Sequence, residues 1–166
     1  PTRRSSDLLF VGVEKEDTSF QADYLAKKIA HLRIFTDEND KMNLSIQDIG
    51  GEILAVSQFT LAADVSRGNR PGFETAARPD EAQPLYEYFV TQLKQFGIPV
   101  KTGIFQADMK VSLINDGPCT FMLQKKALRQ SFTFRKMRSV TGIVRLPMCC
   151  LSLLQKSTKT ARLASL

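Results

Sequence analysis

The stretch Ile53-Leu54-Ala55-Val56-Ser57-Gln58-Phe59-Thr60-Leu61 constrains this chain more than any other. Ile53, Leu54, Ala55 and Val56 follow one another with no polar residue between them, the pattern of a strand buried on both faces. A hydroxyl, an amide, an aromatic ring and a second hydroxyl come next. Ser57, Gln58 and Thr60 are costly at the end of a buried strand unless each finds a hydrogen-bond partner. Two readings stand: the strand surfaces there and its polar residues meet solvent, or those residues are gathered into a site.

A second stretch bears on that choice. Asn115-Asp116-Gly117-Pro118 sits between the strand-like runs Lys110-Val111-Ser112-Leu113-Ile114 and Cys119-Thr120-Phe121-Met122-Leu123. Asn and Asp close local side-chain bonds, Gly permits unusual φ and Pro fixes its own, so a hairpin turn is expected here. A Gly-Pro bond in a tight turn is also a candidate for the cis form, which only proline makes cheap. Alone, the pattern is an ordinary hairpin loop.

Together the two stretches are more specific. Ser57-Gln58-Phe59-Thr60-Leu61 followed by Asn115-Asp116-Gly117-Pro118-x-Thr120 resembles the D-aminoacyl-tRNA deacylase (D-tyrosyl-tRNA deacylase) family. The resemblance runs in order through Gly12-Val13-Glu14-Lys15, Leu32-Arg33-Ile34-Phe35, Lys41-Met42-Asn43-Leu44 and Gly103-Ile104-Phe105-Gln106-Ala107-Asp108-Met109. It covers about residues 8–124 and then stops. Members of that family carry two further strands before this point, so the resemblance implies a deacylase domain lacking its first two strands.

The length of 166 residues suits one domain with a sizeable core that needs no disulfides. Cys119, Cys149 and Cys150 form neither metal-ligand spacing nor an even framework, and His31 is the only histidine, which argues against a zinc site or a histidine-based triad. No metal and no cofactor are expected. With no apolar run of membrane-spanning length and no evident signal peptide, a reducing cytoplasmic setting is the default, with no membrane partner.

The net charge of +6 invites a nucleic-acid reading, but it is unevenly spread. Residues 125–166 carry ten Lys and Arg and no acid, whereas residues 8–124 carry eleven basic against sixteen acidic side chains. The core is acidic, and any RNA it binds must be held by a local patch. Residues 1–7 lack periodicity and read as a non-native or disordered leader. Residues 125–166, with Cys149-Cys150, read as a disordered or out-of-frame extension, the alternative being a basic RNA-binding tail.

Between those ends, residues 8–13 enter as a buried strand. Asp17 or Thr18 can cap a helix to about Leu32, with Phe20, Tyr24, Leu25, Ile29 and Leu32 on one face and His31, near its end, in a structural role. Short strands over residues 33–35 and 42–46 flank a turn at residues 37–40. Residues 62–73 form a loop in which Arg67 and Arg70 either hold an RNA phosphate or are simply solvated. Pro79, with Asp80 and Glu81, opens a second helix whose apolar stripe is Leu85, Phe89, Leu93 and Phe96. A strand over residues 100–105 and the hairpin complete an α+β fold, with mixed and antiparallel sheets forming a barrel-like core beside two helices.

The resemblance implies hydrolysis of the ester of D-aminoacyl-tRNA, and of glycyl-tRNA mischarged on tRNA-Ala, as chiral proofreading in translation by a cytoplasmic homodimer. DNA is not an expected partner. Such an activated ester needs little beyond positioning, a water or hydroxyl nucleophile and oxyanion stabilisation. By resemblance, Ser57, Gln58 and Phe59 form the pocket floor and supply oxyanion donors, and Thr60 matches a proposed nucleophile whose role, with no base beside it, is supportive. Gly117 and Pro118 match a Gly-cisPro motif that reaches into the partner subunit's site and excludes L side chains sterically; Thr120, Phe73 and Met109 are expected to line the pocket. The family pattern has Ser where Gly72 stands, so any hydrogen bond of that hydroxyl is missing here. The alternative is an inactive RNA- or protein-binding module on the same fold.

Overall fold

The structure, a computed structural model, describes residues 6–126, 151–157 and 162–165. The first five residues of the expected leader and most of the expected extension, Cys149 and Cys150 included, lie outside the described residues. In chain order the elements are β1 (Ser6–Val11), α1 (Ser19–Ala30), β2 (Phe35–Thr36), β3 (Met42–Leu44), β4 (Glu52–Ser57), a 3₁₀ turn (Phe59–Ala62), α2 (Pro79–Gln95), β5 (Val100–Thr102), β6 (Met109–Ser112), β7 (Asn115–Gln124), β8 (Leu151–Ser157) and β9 (Arg162–Ser165). Two helices with parallel and antiparallel sheets make the fold α+β, as the sequence implies.

The continuous apolar run becomes the interior strand β4, in a five-stranded sheet ordered β5-β4-β1-β8-β7. It pairs in parallel with β1 on one side and with β5 on the other. Its side chains alternate between two cores. Ile53 and Ala55 join Leu9, Val11 and both helices, while Leu54 and Val56 join Leu8, Phe10, Met109, Val111 and Leu113 on the opposite face. The middle of a strand covered on both faces has no position for a solvated residue, so the polar residues of β4 stand at its two half-buried ends, Glu52 and Ser57.

Helix α1 starts where Thr18 closes a capping box: Thr18 Oγ1 accepts from Phe20 N–H at 3.3 Å, and Gln21 Oε1 accepts from Thr18 N–H at 2.9 Å. Its inward side is Gln21, Ala22, Leu25, Ala26, Ile29 and Ala30. Phe20 and Tyr24, expected on that face, are about half exposed (53% and 45%). The small Ala22 and Ala26 are buried on the inner side, and the two rings lie outward under the Lys125 ammonium, 5.6 and 4.5 Å from their centroids. His31 ends the helix: its Nδ1–H donates to Lys27 O at 2.8 Å, and its ring meets Phe96 edge-on at 5.5 Å.

Pro79 occupies the first position of α2, and Gly97, at φ 78°, follows its end. Tyr86, Phe89, Val90 and Leu93 are its buried residues, so Tyr86 and Val90 replace Leu85 and Phe96 at the centre of the expected stripe. Tyr88 OH donates to Asp23 Oδ1 of α1 at 2.9 Å, and the buried Tyr86 OH donates to Ala55 O of β4 at 2.9 Å.

Three boundary expectations change. Ser6 and Asp7, placed with the leader, are strand residues of β1 opposite Glu52 and Ile53. The expected hairpin turn at Asn115-Asp116-Gly117-Pro118 is part of β7, with a register shift between Asn115 and Thr120; β7 pairs with β8, and β6 with β9, in place of each other. Within the expected extension, β8 lies antiparallel between β1 and β7. Sheet pairing over a long sequence distance overrides the local turn chemistry there.

Burial pushes the Tyr86 phenol up to about 12, with a smaller contribution from Glu87. A phenol that ionises near pH 10 when unfolded but only near pH 12 when folded contributes stability that is intact below pH 10 and lost as pH rises to 12. Tyr86→Phe should destabilise the chain by about 1 kcal/mol at neutral pH. The loss is modest because Ala55 O keeps the Gly103 N–H at 3.1 Å. In urea titrations, the native midpoint should fall more steeply than that of the variant between pH 10 and 12; parallel curves would show that the phenol is not held neutral.

Candidate functional site

β1 and β4 run parallel, and both end at the same level, with Phe10 opposite Val56 and Val11 opposite Ser57. Beyond carboxyl ends of parallel strands the chain must diverge, and crevices form there. A cleft of about 590 Å³ occupies this position. Its walls are Phe10 and Val56 from the strands, Ser57, Gln58 and Phe59 just after β4, Ala77, Pro79 and Ala82 around the start of α2, and residues 105–109 before and into β6. This volume is in the range that holds a small organic ligand.

Local chemistry sets the floor. Gln58 N–H donates to Val11 O at 2.8 Å, continuing the β1–β4 ladder one step past the strand. That main-chain donor is therefore committed to the sheet. Leu61 N–H then donates to Gln58 O at 3.2 Å and Ala63 N–H to Thr60 O at 3.2 Å, winding the 3₁₀ turn. Phe59 and Thr60 open this turn, where the first N–H groups have no acceptor within it. Gln58 Nε2 donates to Thr60 Oγ1 at 2.6 Å, so the amide and the hydroxyl hold each other.

Ser57, Gln58, Phe59 and Met109 all line the cleft. Thr60 is exposed, bonded to Gln58, and does not line the cleft, and Phe73 touches the site through Phe59, their ring centroids 5.0 Å apart at 60°. Gly117 and Pro118 lie within the register shift of β7, and Thr120 is exposed on that strand opposite Gln155. Phe105, Gln106, Ala107 and Asp108 belong to a stretch that carries the resemblance, but only its last residue, Met109, was expected at the site; all four line the cleft as well. Gln106 adopts φ 61°, a conformation uncommon outside glycine, in the turn where Ala107 N–H donates to Ile104 O at 3.3 Å. Asp108 puts a carboxylate at the cleft. Among the described residues, no group of three or more His, Cys, Asp and Glu is arranged to hold a metal ion, and no helix is long and apolar enough to cross a membrane.

The loop after the turn is a small closed hairpin. Asp64 and Gly72 exchange backbone bonds of 2.8 and 2.9 Å, leaving residues 65–71 as an exposed tip that carries Arg67 and Arg70. The returning chain is tied back by Lys15 N–H to Thr75 O at 2.9 Å, Thr75 Oγ1 to Ala62 O at 2.9 Å and Ala77 N–H to Val13 O at 3.0 Å. These bonds anchor the chain two to four residues after Phe73, whose ring meets that of Phe59.

Residues 5–124 match the sequence model of the family described as D-Tyr-tRNA(Tyr) deacylase. The D-aminoacyl-tRNA deacylase of Geotalea uraniireducens is 64% identical over 117 residues, which span 70% of this chain and 76% of that protein. That of Koribacter versatilis is 57% identical over 119 residues, covering 72% and 80% respectively. Among solved structures, one titled c-Myc DNA Unwinding Element Binding Protein superposes with a TM-score of 0.68 at 34% identity, over 75% of this chain and 95% of that one. The chain belongs to the D-Tyr-tRNA(Tyr) deacylase family and, with it, to the hydrolases.

The Gln58–Thr60 bond makes a prediction about Thr60. Thr60→Val, assayed on D-tyrosyl-tRNA, should lower kcat by less than about tenfold, the scale of losing a supporting hydrogen bond. Loss of a true nucleophile costs about 10⁴-fold or more. A fall of that size would return Thr60 to the nucleophile role.

Proposed function

We propose that the chain hydrolyses the ester between a D-amino acid, or glycine, and the tRNA 3′ terminus, releasing free amino acid and tRNA. Water adds hydroxide to the carbonyl carbon and its remaining proton goes to the ribose oxygen as the acyl–oxygen bond breaks. The observation that carries this reading is the cleft at the end of β4, floored by Ser57, Gln58 and Phe59, in a chain of this family.

With Gln58 N–H donating to Val11 O, Phe59 N–H is the main-chain donor that best suits the oxyanion. One such donor is worth about 3 kcal/mol, roughly a hundredfold in rate, which is substantial for an ester already activated. Gln58 and Thr60 act as a linked pair that fixes the turn carrying this N–H. Met109 and the apolar wall of Phe10 and Val56 receive the side chain of the amino acid. No cofactor is required by this scheme: water is the nucleophile, and the ribose 2′-hydroxyl can relay its proton to the leaving ribose oxygen.

Chirality is set by exclusion. A rigid Gly117-Pro118 main chain from a partner subunit, standing against the α-carbon, leaves no room for an L side chain and admits hydrogen or a D side chain. This role makes the working unit a homodimer and makes glycyl-tRNA a substrate, since glycine has nothing to exclude. The deacylase unit is residues 8–124 together with Ser6 and Asp7, the first residues of β1, and the setting is the cytoplasm, where aminoacyl-tRNA is made. The acidic balance of residues 8–124 favours a tRNA end held at a local patch over a DNA duplex gripped along its length.

Pro118→Ala tests the filter directly. The variant should hydrolyse L-tyrosyl-tRNA at least tenfold faster than the native chain while still cleaving the D form. An unchanged D/L ratio would remove Gly117-Pro118 from chiral selection.

A further inference from the structure

Phe59 and Phe73 leave more apolar surface open than their place beside a cleft requires, at 58% and 38% exposure. They are not collapsed against the core. Each ring instead holds the other edge-to-face at 5.0 Å, which fixes both orientations and leaves ring surface facing solvent. Phe59 is part of the cleft wall, and Phe73 continues the surface outward from it. Phe73 is followed by the bonds that tie residues 75–77 down and preceded by the hairpin whose tip carries Arg67 and Arg70. A fixed, exposed aromatic pair next to a basic tip is the combination that single-stranded nucleic acid uses, with bases stacked on the rings and phosphates met by the guanidinium groups.

We propose that Phe59 and Phe73 form a stacking platform for the terminal adenine of the tRNA acceptor end, with Arg67 and Arg70 meeting the phosphates that lead to it. The inference rests on the deacylase reading above, because an ester held at Phe59 N–H has its own nucleoside at the mouth of the cleft. Stacking takes any base by its π-face, so the platform positions the end without reading sequence, and every elongator tRNA ends in the same nucleotide. The acidic balance of residues 8–124 makes these two arginines, on an exposed tip, a local attractive patch of the kind such a chain needs.

The test uses the full chain and a non-hydrolysable, amide-linked D-tyrosyl-tRNA whose terminal adenine is replaced by 2-aminopurine. Native protein should quench the fluorophore on binding. Phe73→Ala should weaken binding by about 5- to 100-fold and abolish the quench, whereas Phe73→Tyr should retain both. With the hydrolysable substrate, KM should rise by a similar factor and kcat stay within about twofold, since the oxyanion donor is main chain. Phe73 is a surface residue, so the alanine variant should keep the native circular dichroism. Phe73→Leu, apolar but without an aromatic face, should lose the quench too. Unchanged binding and quench in Phe73→Ala, or its conversion of a native dimer to monomer with binding per subunit intact, would overturn the platform alone. Failure of the native chain to bind the analogue at all would overturn the deacylase reading along with it.

Discussion

The parallel pairing of β1 with β4 is the constraint on which the other parts depend. Its last bond, Gln58 N–H to Val11 O at 2.8 Å, sits one residue past the strand and decides where the chain can turn. Because Ile53 and Ala55 are packed under the helices and Leu54 and Val56 on the opposite face, the strand can neither slip by one residue nor rotate without exposing one set. Tyr86 OH on Ala55 O pins the same strand from α2. The start of the 3₁₀ turn, and so the direction of Phe59, follows from this anchoring.

That arrangement suits a reaction needing placement more than reactive side chains. The only histidine, His31, is engaged with Lys27 O and Phe96 at the far end of α1 and is no part of the cleft. What the cleft offers is a rigid floor, an amide–hydroxyl pair holding its shape, and walls drawn from four separate segments. Rigid main-chain donors act without reorganising as charge develops, which is the main source of rate where a nucleophile needs little activation. The two strained or closed features beside it, Gln106 at φ 61° and the Asp64–Gly72 pair, mark the segments whose conformation is fixed by neighbours and not by local preference.

Much of the fold was legible because it is local. An unbroken apolar run told of a doubly covered strand, Asp17 or Thr18 marked the start of α1, where Thr18 is the cap, and Pro79 before two acids marked the start of α2. The polar residues after Val56 were legible as a site through the resemblance more than through their own pattern. What the sequence hid depends on distant partners. Nothing local says that Phe20 and Tyr24 turn outward, since their spacing is as helical as that of the residues that turn in. Asn115-Asp116-Gly117-Pro118 has turn chemistry, yet β8 draws it into a strand from over thirty residues away in sequence. Asp108 and Gln106 reach the cleft only because β6 packs across the face of β4 that holds Leu54 and Val56.

The measurement that bears most directly on this account is deacylation of D-tyrosyl-tRNA and L-tyrosyl-tRNA, side by side, by the purified chain. The D ester should be cleaved at rates well above spontaneous hydrolysis, and the L ester should decay only at its spontaneous rate. Equal cleavage of both esters would contradict a cleft closed to L side chains. Cleavage of neither would contradict the assignment of hydrolysis to the floor formed by Ser57, Gln58 and Phe59.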